Sequence, residues 1–313
     1  MTKLPSYDEL PTLDGLGLPH AWDVWDPDLG TVGLCTPEAV AAAAPLVRTG
    51  EVFTLNLPLD EPDPPLFGRA PYHHEIFATD RNHVDDRIDG FSPQASSQWD
   101  GLRHVRARQH GFFGGRPGGP DGFAPGAGDL GIEHWARRGI VGRGVLLDVA
   151  RYRAASGRPL DPLAGEVIEP DDLAATVAGQ EITLRPGDIL CVRTGWIEAF
   201  RALDGPARQA ASAHPRISGL NGSEAMARLL WDAHPAALAA DNPTVEVAPG
   251  DPAVGSLHRR LLPTLGFALG ELFDLAGLAS ACAADGRWEF FFVAAPLNLP
   301  GGVASPANAL GIR

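Results

Sequence analysis

The sequence predicts a single mixed α/β domain built around a mixed β-sheet. Short apolar segments typical of buried strands, such as Gly144–Ala150, Ile189–Arg193 and Glu289–Leu297, alternate with segments that carry helix-start signals. Strands separated by helices favour an α/β arrangement over an all-helical or all-strand fold. A chain of 313 residues with 44% hydrophobic composition also suffices for a large core.

Local signals support each predicted element. A Thr36 cap followed by Pro37 opens a helix, and an alternating strand ends at Pro58. Another helix starts at Glu169, because proline and acidic residues fill its first turn. The remaining predicted elements are a helix at 221–234, strands at 236–241 and 267–272, and a short helix that begins at His258 and is bent or ended by Pro263.

Two long stretches are interpreted as loops, residues 61–98 and residues 111–131. The second holds nine glycines and three prolines and follows closely after the polar cluster described below. Loops of this length in compact domains often act as lids or binding loops. Residues 1–34 are rich in Gly, Pro and Trp with little periodicity, so we expect them to wrap the body or a partner subunit.

Charge and composition exclude several classes of protein. The net charge of −14 and the pI near 5.1 argue against nucleic-acid and acidic membrane partners, which need a basic surface. No apolar run reaches the length of a membrane span, and the first residues lack a secretory signal. Cys35, Cys191 and Cys282 are too few and too widely spaced for a disulfide scaffold or zinc cluster, so a reducing cytoplasm is expected.

The segment from Gln94 to His104, QASSQWDGLRH, is the richest in chemistry-bearing side chains. Gln98 and Asp100 are two residues apart, so in an extended strand both side chains point to one face. Gly101 would let backbone or ligand approach closely. The pattern indicates a polar cluster aimed at one spot, although a structural Asp100–His104 hydrogen bond beside a turn is the alternative interpretation.

This segment resembles the H-x-G-T-H-x-D-x-P-x-H signature of the metal-dependent cyclase family, which includes kynurenine formamidases and isatin hydrolases. Asp100 matches the signature Asp and His104 its last His, whereas Gln94 and Gln98 stand at its first two His positions. Three further stretches resemble the family: residues 190–196 with Arg-Thr-Gly-Trp, residues 257–271 with a downstream His and Glu, and residues 295–302 with a closing strand and loop.

The resemblance implies a swivelling β/β/α-type domain that assembles as a homodimer or homotetramer. It covers the chain from about Gly90 to the C-terminus. We therefore expect residues 1–60 to form an N-terminal extension with the first helix and strand, and residues 61–313 to form the catalytic domain. The two parts are expected to be one continuous domain.

In the family, two metals share the Asp and the Glu. Asp100, His258 and Glu271 match the set for one metal, whereas Gln94 and Gln98 would replace the imidazoles of the other with weak amide oxygens. Because imidazole suits zinc and carbonyl oxygens suit harder cations, we expect a single ion. Manganese or zinc is expected, with magnesium as a further candidate, and Gln98 would be a weak ligand or would orient water.

The expected reaction is hydrolysis of a small amide, lactam, lactone or ester, with His104 as the base that takes a proton from water. Trp99 could stack on an aromatic substrate or simply pack in the core. Arg103 could supply positive charge for an anionic substrate. Two alternatives stay open: a non-hydrolytic cyclase, dehydratase or isomerase that uses His104 and Glu271 without strong metal binding, and an inactive binding protein of the same fold.

Other motifs lack the context that their chemistry needs. The glycines of residues 139–144 imitate a phosphate-binding fingerprint, but they do not follow a strand and open a helix, as the dinucleotide turn requires. The adjacent His73 and His74 would face opposite sides of a strand, so polar surface or loop residues are the favoured interpretation. We therefore predict no nucleotide cofactor.

Overall fold

The computed structural model describes residues 4–117 and 129–313, where strands and helices alternate. The strands are Val52–Thr54 (β1), His73–Ala78 (β2), Val84–Asp89 (β3), Gln98–Asp100 (β4), Ile140–Asp148 (β5), Val167–Ile168 (β6), Ile189–Arg193 (β7), Gly219–Leu220 (β8), Ala237–Ala240 (β9), Leu269–Glu271 (β10), Glu289–Ala294 (β11), Ala304–Pro306 (β12) and Ala309–Ile312 (β13). The α-helices are Pro37–Ala43 (α1), Glu133–Arg138 (α2), Val149–Ala155 (α3), Pro170–Gly179 (α4), Trp196–Ala202 (α5), Gly205–Ala213 (α6), Glu224–Asp232 (α7), Leu257–Arg260 (α8) and Ala276–Asp285 (α9).

One large mixed sheet organises the molecule, with the strand order β1-β13-β11-β5-β7-β9-β10-β4-β12. The centre, from β5 through β7 and β9 to β10, is parallel. The flanks are antiparallel, since β11 pairs with β5 and β4 pairs with both β10 and β12. Parallel centres need cover on both faces, and β7 and β9 are almost entirely buried. The predicted mixed α/β fold is confirmed.

Apolar side chains on the two faces of the sheet form separate cores. Along β7, Leu190 lies in one core and Cys191 in the other, as the two-residue repeat of a strand requires. The first core includes Trp99 and Phe292, and the second includes Leu269 together with residues of α7 and α8. The functional side chains described below lie on the Leu269 side of the sheet.

Several helix and strand predictions agree with the structure. The Thr36 side chain accepts a hydrogen bond from the Ala39 N–H at 3.2 Å and caps α1. Glu169 forms a capping box at the start of α4. Strand β7 has the predicted bounds, whereas the strand predicted to end at Pro58 stops at Thr54. The predicted helix at 221–234 begins only at Glu224, where Ser223 caps α7.

The prediction of a loop over residues 61–98 is wrong in its middle. Strands β2 and β3 form an antiparallel hairpin, with His73 opposite Asp89 and Ala78 opposite Val84. Nearly every residue of this hairpin is exposed, including Ile76 and Val84, and no regular alternation of buried apolar and exposed polar residues marks the strands. The favoured interpretation of the histidines as polar surface residues holds: His74 contacts Asp86 at 2.9 Å.

The glycines at 139–144 are expected from the sequence to precede a strand, and the structure places them differently. They lie at and inside the start of β5 rather than before it. Gly144 is needed there because a Cβ would stand 2.4 Å from the ring of Phe290 on the paired strand β11. Of the predicted 111–131 loop, residues 118–128 lie outside the described residues, and Phe113–Gly115 forms a 3-10 turn.

The N-terminal segment is bound to the body through the turn that follows α8. This turn, Leu261–Leu265, is a π-helical turn containing Pro263. The Trp22 indole donates to the carbonyl of Pro263 at 2.8 Å, and the Trp25 indole donates to that of Leu265 at 3.0 Å. The tryptophans thus satisfy carbonyl groups that a helix end leaves without partners.

Within residues 4–117 and 129–313, no helix has both the length and the apolar composition needed to cross a membrane.

Candidate metal centre

Two short antiparallel strands bring three functional side chains to one face of the sheet. Glu271 of β10 stands opposite Gln98 of β4, and Asp100 stands opposite Leu269. Because side chains alternate along each strand, Gln98, Asp100 and Glu271 all project to the Leu269 side. Each is at most 4% exposed. The pairing therefore concentrates two carboxyl groups in a buried space, which requires a compensating partner.

His258 of α8 supplies the third member of the cluster. Its Nε2 lies 3.1 Å from Glu271 Oε1 and 3.8 Å from Asp100 Oδ2. Ligand atoms of Asp100, His258 and Glu271 all lie within 4.8 Å of one another. The sequence prediction that these distant residues converge agrees with this geometry. One imidazole and two carboxylates are a donor set that zinc, manganese and related divalent ions accept.

Unsatisfied oxygen atoms show that the cluster is incomplete as a hydrogen-bonding network. Among the described residues, Asp100 Oδ1 and Gln98 Oε1 are buried without a hydrogen-bond partner. The Gln98 amide nitrogen instead donates to Glu271 Oε2. Buried oxygens without donors are costly, and a cation is the partner that carboxylate and amide oxygens share. The residues present therefore fit a divalent ion.

Glu246 is a functional residue that sequence reasoning missed. Its Oε1 accepts from His258 Nδ1 at 2.8 Å, from the His258 backbone N–H at 3.1 Å and from Ser256 Oγ at 2.9 Å. Its Oε2 accepts from the Leu257 N–H. An ionised carboxylate can only accept, so Nδ1 carries a proton, and Nε2 is the nitrogen that would bind a cation after losing its own proton. No recognisable spacing links Glu246 to His258, so no pattern in the sequence indicates its role.

Burial and charge shift the pKa values of this cluster in a way that favours a bound cation. Burial and the charge of Asp100 raise the pKa of Glu271 to about 7. Burial alone would lower the pKa of His258, but its contacts with Asp100, Glu246 and Glu271 outweigh burial and raise it well above its usual value. Without a cation, protons thus compensate the clustered carboxylates.

His104 lies beside the cluster rather than within it. Its Nε2 is 3.7 Å from Asp100 Oδ2, and its ring centre is 6.4 Å from that of His258. The side chain is 29% exposed, so solvent or substrate can reach it. Burial lowers the pKa of His104, with Asp100 opposing and His258 and Arg69 adding to this effect. A neutral imidazole at this position can accept a proton.

The remaining predicted site residues lie elsewhere. Trp99 is fully buried, packs against Phe273 at 5.1 Å between ring centres, and donates to the Ala307 carbonyl. It points away from Gln98 and Asp100, so the substrate-stacking alternative for Trp99 is wrong and the core alternative is correct.

Arg103 is 7% exposed and donates to the Gly301 carbonyl at 2.9 Å, which anchors the loop before β12. Gln94 is half-buried in the 3-10 turn Pro93–Ala95. Their predicted roles as a charge for the substrate and as a weak ligand stay predictions.

The Arg-Thr-Gly-Trp stretch after β7 has a structural partner that the sequence did not reveal. Asp241 accepts from Thr194 N–H, Thr194 Oγ1 and Gly195 N–H, each at 2.7 Å. Gly195 adopts a φ of +83°, which lets its N–H turn toward the carboxylate. Burial and the charge of Glu198 raise the pKa of Asp241 to about 7 despite these donors.

Comparisons with known proteins agree with this fold. A family model described as "Putative cyclase" matches residues 43–247, and the chain therefore belongs to this cyclase family. The crystal structure of a novel cyclase is 34% identical, covers 94% of this chain and 99% of that chain, and superimposes with a TM-score of 0.82. No curated protein matches the chain.

More distant solved structures share the fold. Isatin hydrolase A from Labrenzia aggregata, bound to benzyl benzoate, is 17% identical, covers 88% of this chain and 96% of its own, and has a TM-score of 0.59. A predicted metal-dependent hydrolase from Bacillus stearothermophilus is 20% identical, covers 83% and 97%, and has a TM-score of 0.51.

Proposed function

We propose that this protein is a metal-dependent hydrolase of a small amide, lactam, lactone or ester. The observation that carries the proposal is the convergence of Asp100, His258 and Glu271, whose ligand atoms lie within 4.8 Å of one another in a buried setting. The names of two solved structures that share the fold, an isatin hydrolase and a predicted metal-dependent hydrolase, support this class.

The chain's own residues would supply the ligands of the metal ion. Asp100, His258 and Glu271 would hold the ion, and the free Gln98 Oε1 would add a weak ligand or orient water. A divalent ion held there would polarise a carbonyl oxygen and lower the pKa of bound water to about 7. The donor set suits manganese or zinc, with magnesium as a further candidate.

His104 is assigned the proton transfers. As a neutral imidazole within 3.7 Å of Asp100, it can take a proton from the attacking water on the exposed side of the cluster. It then returns that proton to the leaving nitrogen or oxygen atom, which completes hydrolysis without any further acid. The lowered pKa of His104 keeps it in the accepting form at neutral pH.

A non-hydrolytic reaction is the second candidate function. Its support is the direct contact of Glu271 with Gln98 and His258, together with a Glu271 pKa raised to about 7. A carboxyl group with that pKa can act as acid or base without a metal. In this case His104 and Glu271 would move protons on the substrate, and a cyclisation or dehydration would result.

A hydrolysis screen with metal-loaded protein tests the proposed function. The purified chain is incubated with manganese or zinc and with panels of formamides, lactams, lactones and esters. Turnover that Asp100→Asn abolishes supports the hydrolase, provided that the control Asp171→Asn, an exposed residue of α4, keeps it. Turnover that is unchanged after metal removal would instead favour the non-hydrolytic candidate or a contaminant.

A further inference from the structure

We propose that an arginine-lined cleft beside α8 binds a small oxyanion with two or more negative charges, separately from the metal centre. The cleft has a volume of about 210 Å³. The N-terminal segment around Gly15, the turn that follows β4 and the loop that enters α8 form its walls. Four arginines line it, namely Arg106, Arg108, Arg259 and Arg260.

The charge of the cleft is opposite to that of the molecule. The chain carries 39 acidic and 25 basic residues, and its net charge is −14. No aspartate or glutamate is among the residues that line the cleft. Four guanidinium groups in one concave surface create a local positive field, which attracts anions that the rest of an acidic surface repels. The cleft is thus electrostatically selective.

Two of the arginines are free to bind a ligand. Arg108 and Arg259 are exposed, and neither side chain makes a hydrogen bond or ion pair within residues 4–117 and 129–313. Arg260 is fixed, because its Nε donates to the Gly222 carbonyl and its Nη2 to the Val254 carbonyl, both at 3.2 Å. One anchored and two unpaired guanidinium groups leave donors for an incoming oxyanion.

The backbone at Arg108 adopts a conformation that most residue types avoid. Arg108 has a φ of +48°, in the left-handed region that glycine or asparagine adopts with less strain. It opens the 3-10 turn Arg108–His110, which the Ala107 N–H closes by donating to the Gly111 carbonyl at 2.7 Å. Strained residues of this kind concentrate at binding sites. An arginine is present here although the local conformation disfavours it.

The size of the cleft and the guanidinium geometry define the ligand class. Guanidinium groups bind phosphate and carboxylate oxygens through paired hydrogen bonds. The volume is below the ~300–1,000 Å³ of sites for drug-sized ligands, which favours inorganic phosphate, a small phosphate monoester or a short dicarboxylate. These ions share the chemistry that the cleft recognises, and they are distinguished by titration.

A series of hydrogen bonds connects this cleft to the metal centre. The experiment must therefore distinguish anion binding in the cleft from anion binding at the metal. Ser256 lines the cleft, and its Oγ donates to the same Glu246 Oε1 that accepts from His258 Nδ1. A phosphate ion could also bind a metal held by Asp100 and His258. The variant Asp100→Asn removes a metal ligand and leaves the arginines intact, so it distinguishes the two locations.

Calorimetric titration of the metal-loaded full chain with inorganic phosphate and with succinate, at low ionic strength, tests the proposal. We expect binding of at least one of them, weakened at least about tenfold by Arg259→Gln and by Arg108→Asn, since each loses a charge-assisted hydrogen bond. Asparagine suits the left-handed backbone, so Arg108→Asn should fold. Tighter binding of phosphate would indicate a phosphate ligand, and tighter binding of succinate a dicarboxylate.

Two controls decide whether the cleft is responsible. Arg81→Gln removes the same charge from the exposed turn between β2 and β3 and should leave binding unchanged. Asp100→Asn should also leave it unchanged. The proposal is overturned if neither anion binds at about 10 mM, which corresponds to a binding free energy weaker than roughly 3 kcal/mol. It is also overturned if Arg81→Gln weakens binding as much as Arg259→Gln, or if Asp100→Asn abolishes binding.

Discussion

Gln98 and Glu271 face each other across the β4–β10 pair. Their contact determines which of their oxygen atoms remain available as metal ligands. The amide nitrogen of Gln98 satisfies one oxygen of Glu271, while the amide oxygen stays without a partner. An imidazole at this position would offer a strong nitrogen ligand, whereas an amide offers a weak oxygen ligand. The substitution therefore reduces the number of strong ligands without removing polar atoms from the site.

Restoring imidazoles should strengthen zinc binding. The double variant Gln94→His, Gln98→His is expected to raise zinc affinity at least tenfold, or about 1.4 kcal/mol, if both imidazoles engage. Competition with a chelating dye measures the change, and the single variants show which position contributes. An unchanged zinc affinity in all three variants would mean that residues 94 and 98 do not match the ligand positions of the signature.

The variant His104→Ala should show whether His104 acts as the catalytic base or as a metal ligand. We expect turnover to fall by about 10²–10⁴ while the metal content is retained. In the wild type, kcat/KM should decline as pH falls through the lowered pKa of His104, because the protonated imidazole cannot accept a proton. The acidic limb should therefore lie below pH 6.5 and should be absent from the variant. Loss of the metal in His104→Ala would make this residue a ligand.

Glu246 should act on the metal through His258. Replacing Glu246 with glutamine keeps an acceptor for His258 Nδ1 but removes the charge that orients and polarises the imidazole. Metal affinity should fall about 10–100-fold, as measured by the same dye competition. Asp251→Asn, an exposed carboxylate in the loop before α8, is the matched control and should change little. Equal effects of both substitutions would argue against a specific role.

The residues of the site were predictable to different extents. Resemblance to the family identified Asp100 through the signature segment, and His258 and Glu271 through the downstream stretch 257–271. Glu246 could not be predicted, since a residue that acts through another needs only spatial proximity. Trp99 shows that a residue next to site residues in a strand need not reach the site. Its neighbours Gln98 and Asp100 face the site, so Trp99 faces the core on the opposite side of the sheet.

At the scale of elements, the turn that joins β7 to α5 depends on a carboxylate from the neighbouring strand. Asp241 follows β9 and satisfies three donors of Thr194 and Gly195 inside the protein. Strand β9 pairs with β7 in parallel, so both chains leave the sheet at the same edge. This arrangement explains why the Arg-Thr-Gly-Trp stretch needs a partner about fifty residues later along the chain.

Asp241→Ala should destabilise the fold strongly. It leaves three buried donors without acceptors, and the free energy of unfolding should fall by about 2–4 kcal/mol. Denaturant unfolding followed by tryptophan fluorescence measures the loss. Asp171→Ala, an exposed carboxylate in the first turn of α4, should cost less than about 1 kcal/mol. A small effect of Asp241→Ala would show that water can replace the carboxylate.

The elements that sequence patterns predicted well are those buried on both faces. Strand β7 is a continuous apolar run, and its bounds were predicted correctly. The hairpin β2–β3 was missed because its strands are exposed and their few apolar residues do not alternate regularly with polar ones. Pairing between its own strands forms it, and no apolar periodicity records that pairing in the sequence.

At the scale of the whole molecule, the N-terminal segment stabilises the helix that carries His258. Trp22 and Trp25 bind the π-helical turn after α8, and the Ala21 N–H donates to the Thr264 carbonyl at 2.8 Å. Residues remote in sequence thus hold one candidate metal ligand, His258, against the sheet that carries the other two candidates. The expected wrapping of the body agrees with these contacts, while the homodimer or homotetramer stays a prediction.

The metal content of the purified chain tests the central claim most directly. After saturation with zinc or manganese and removal of excess ion, elemental analysis should find about one divalent ion per chain, as a single set of one imidazole and two carboxylates implies. Asp100→Asn should lower this content to near zero, and Asp171→Asn should leave it unchanged. A wild-type chain that retains no ion, or an Asp100→Asn chain that retains as much as the wild type, would contradict the account.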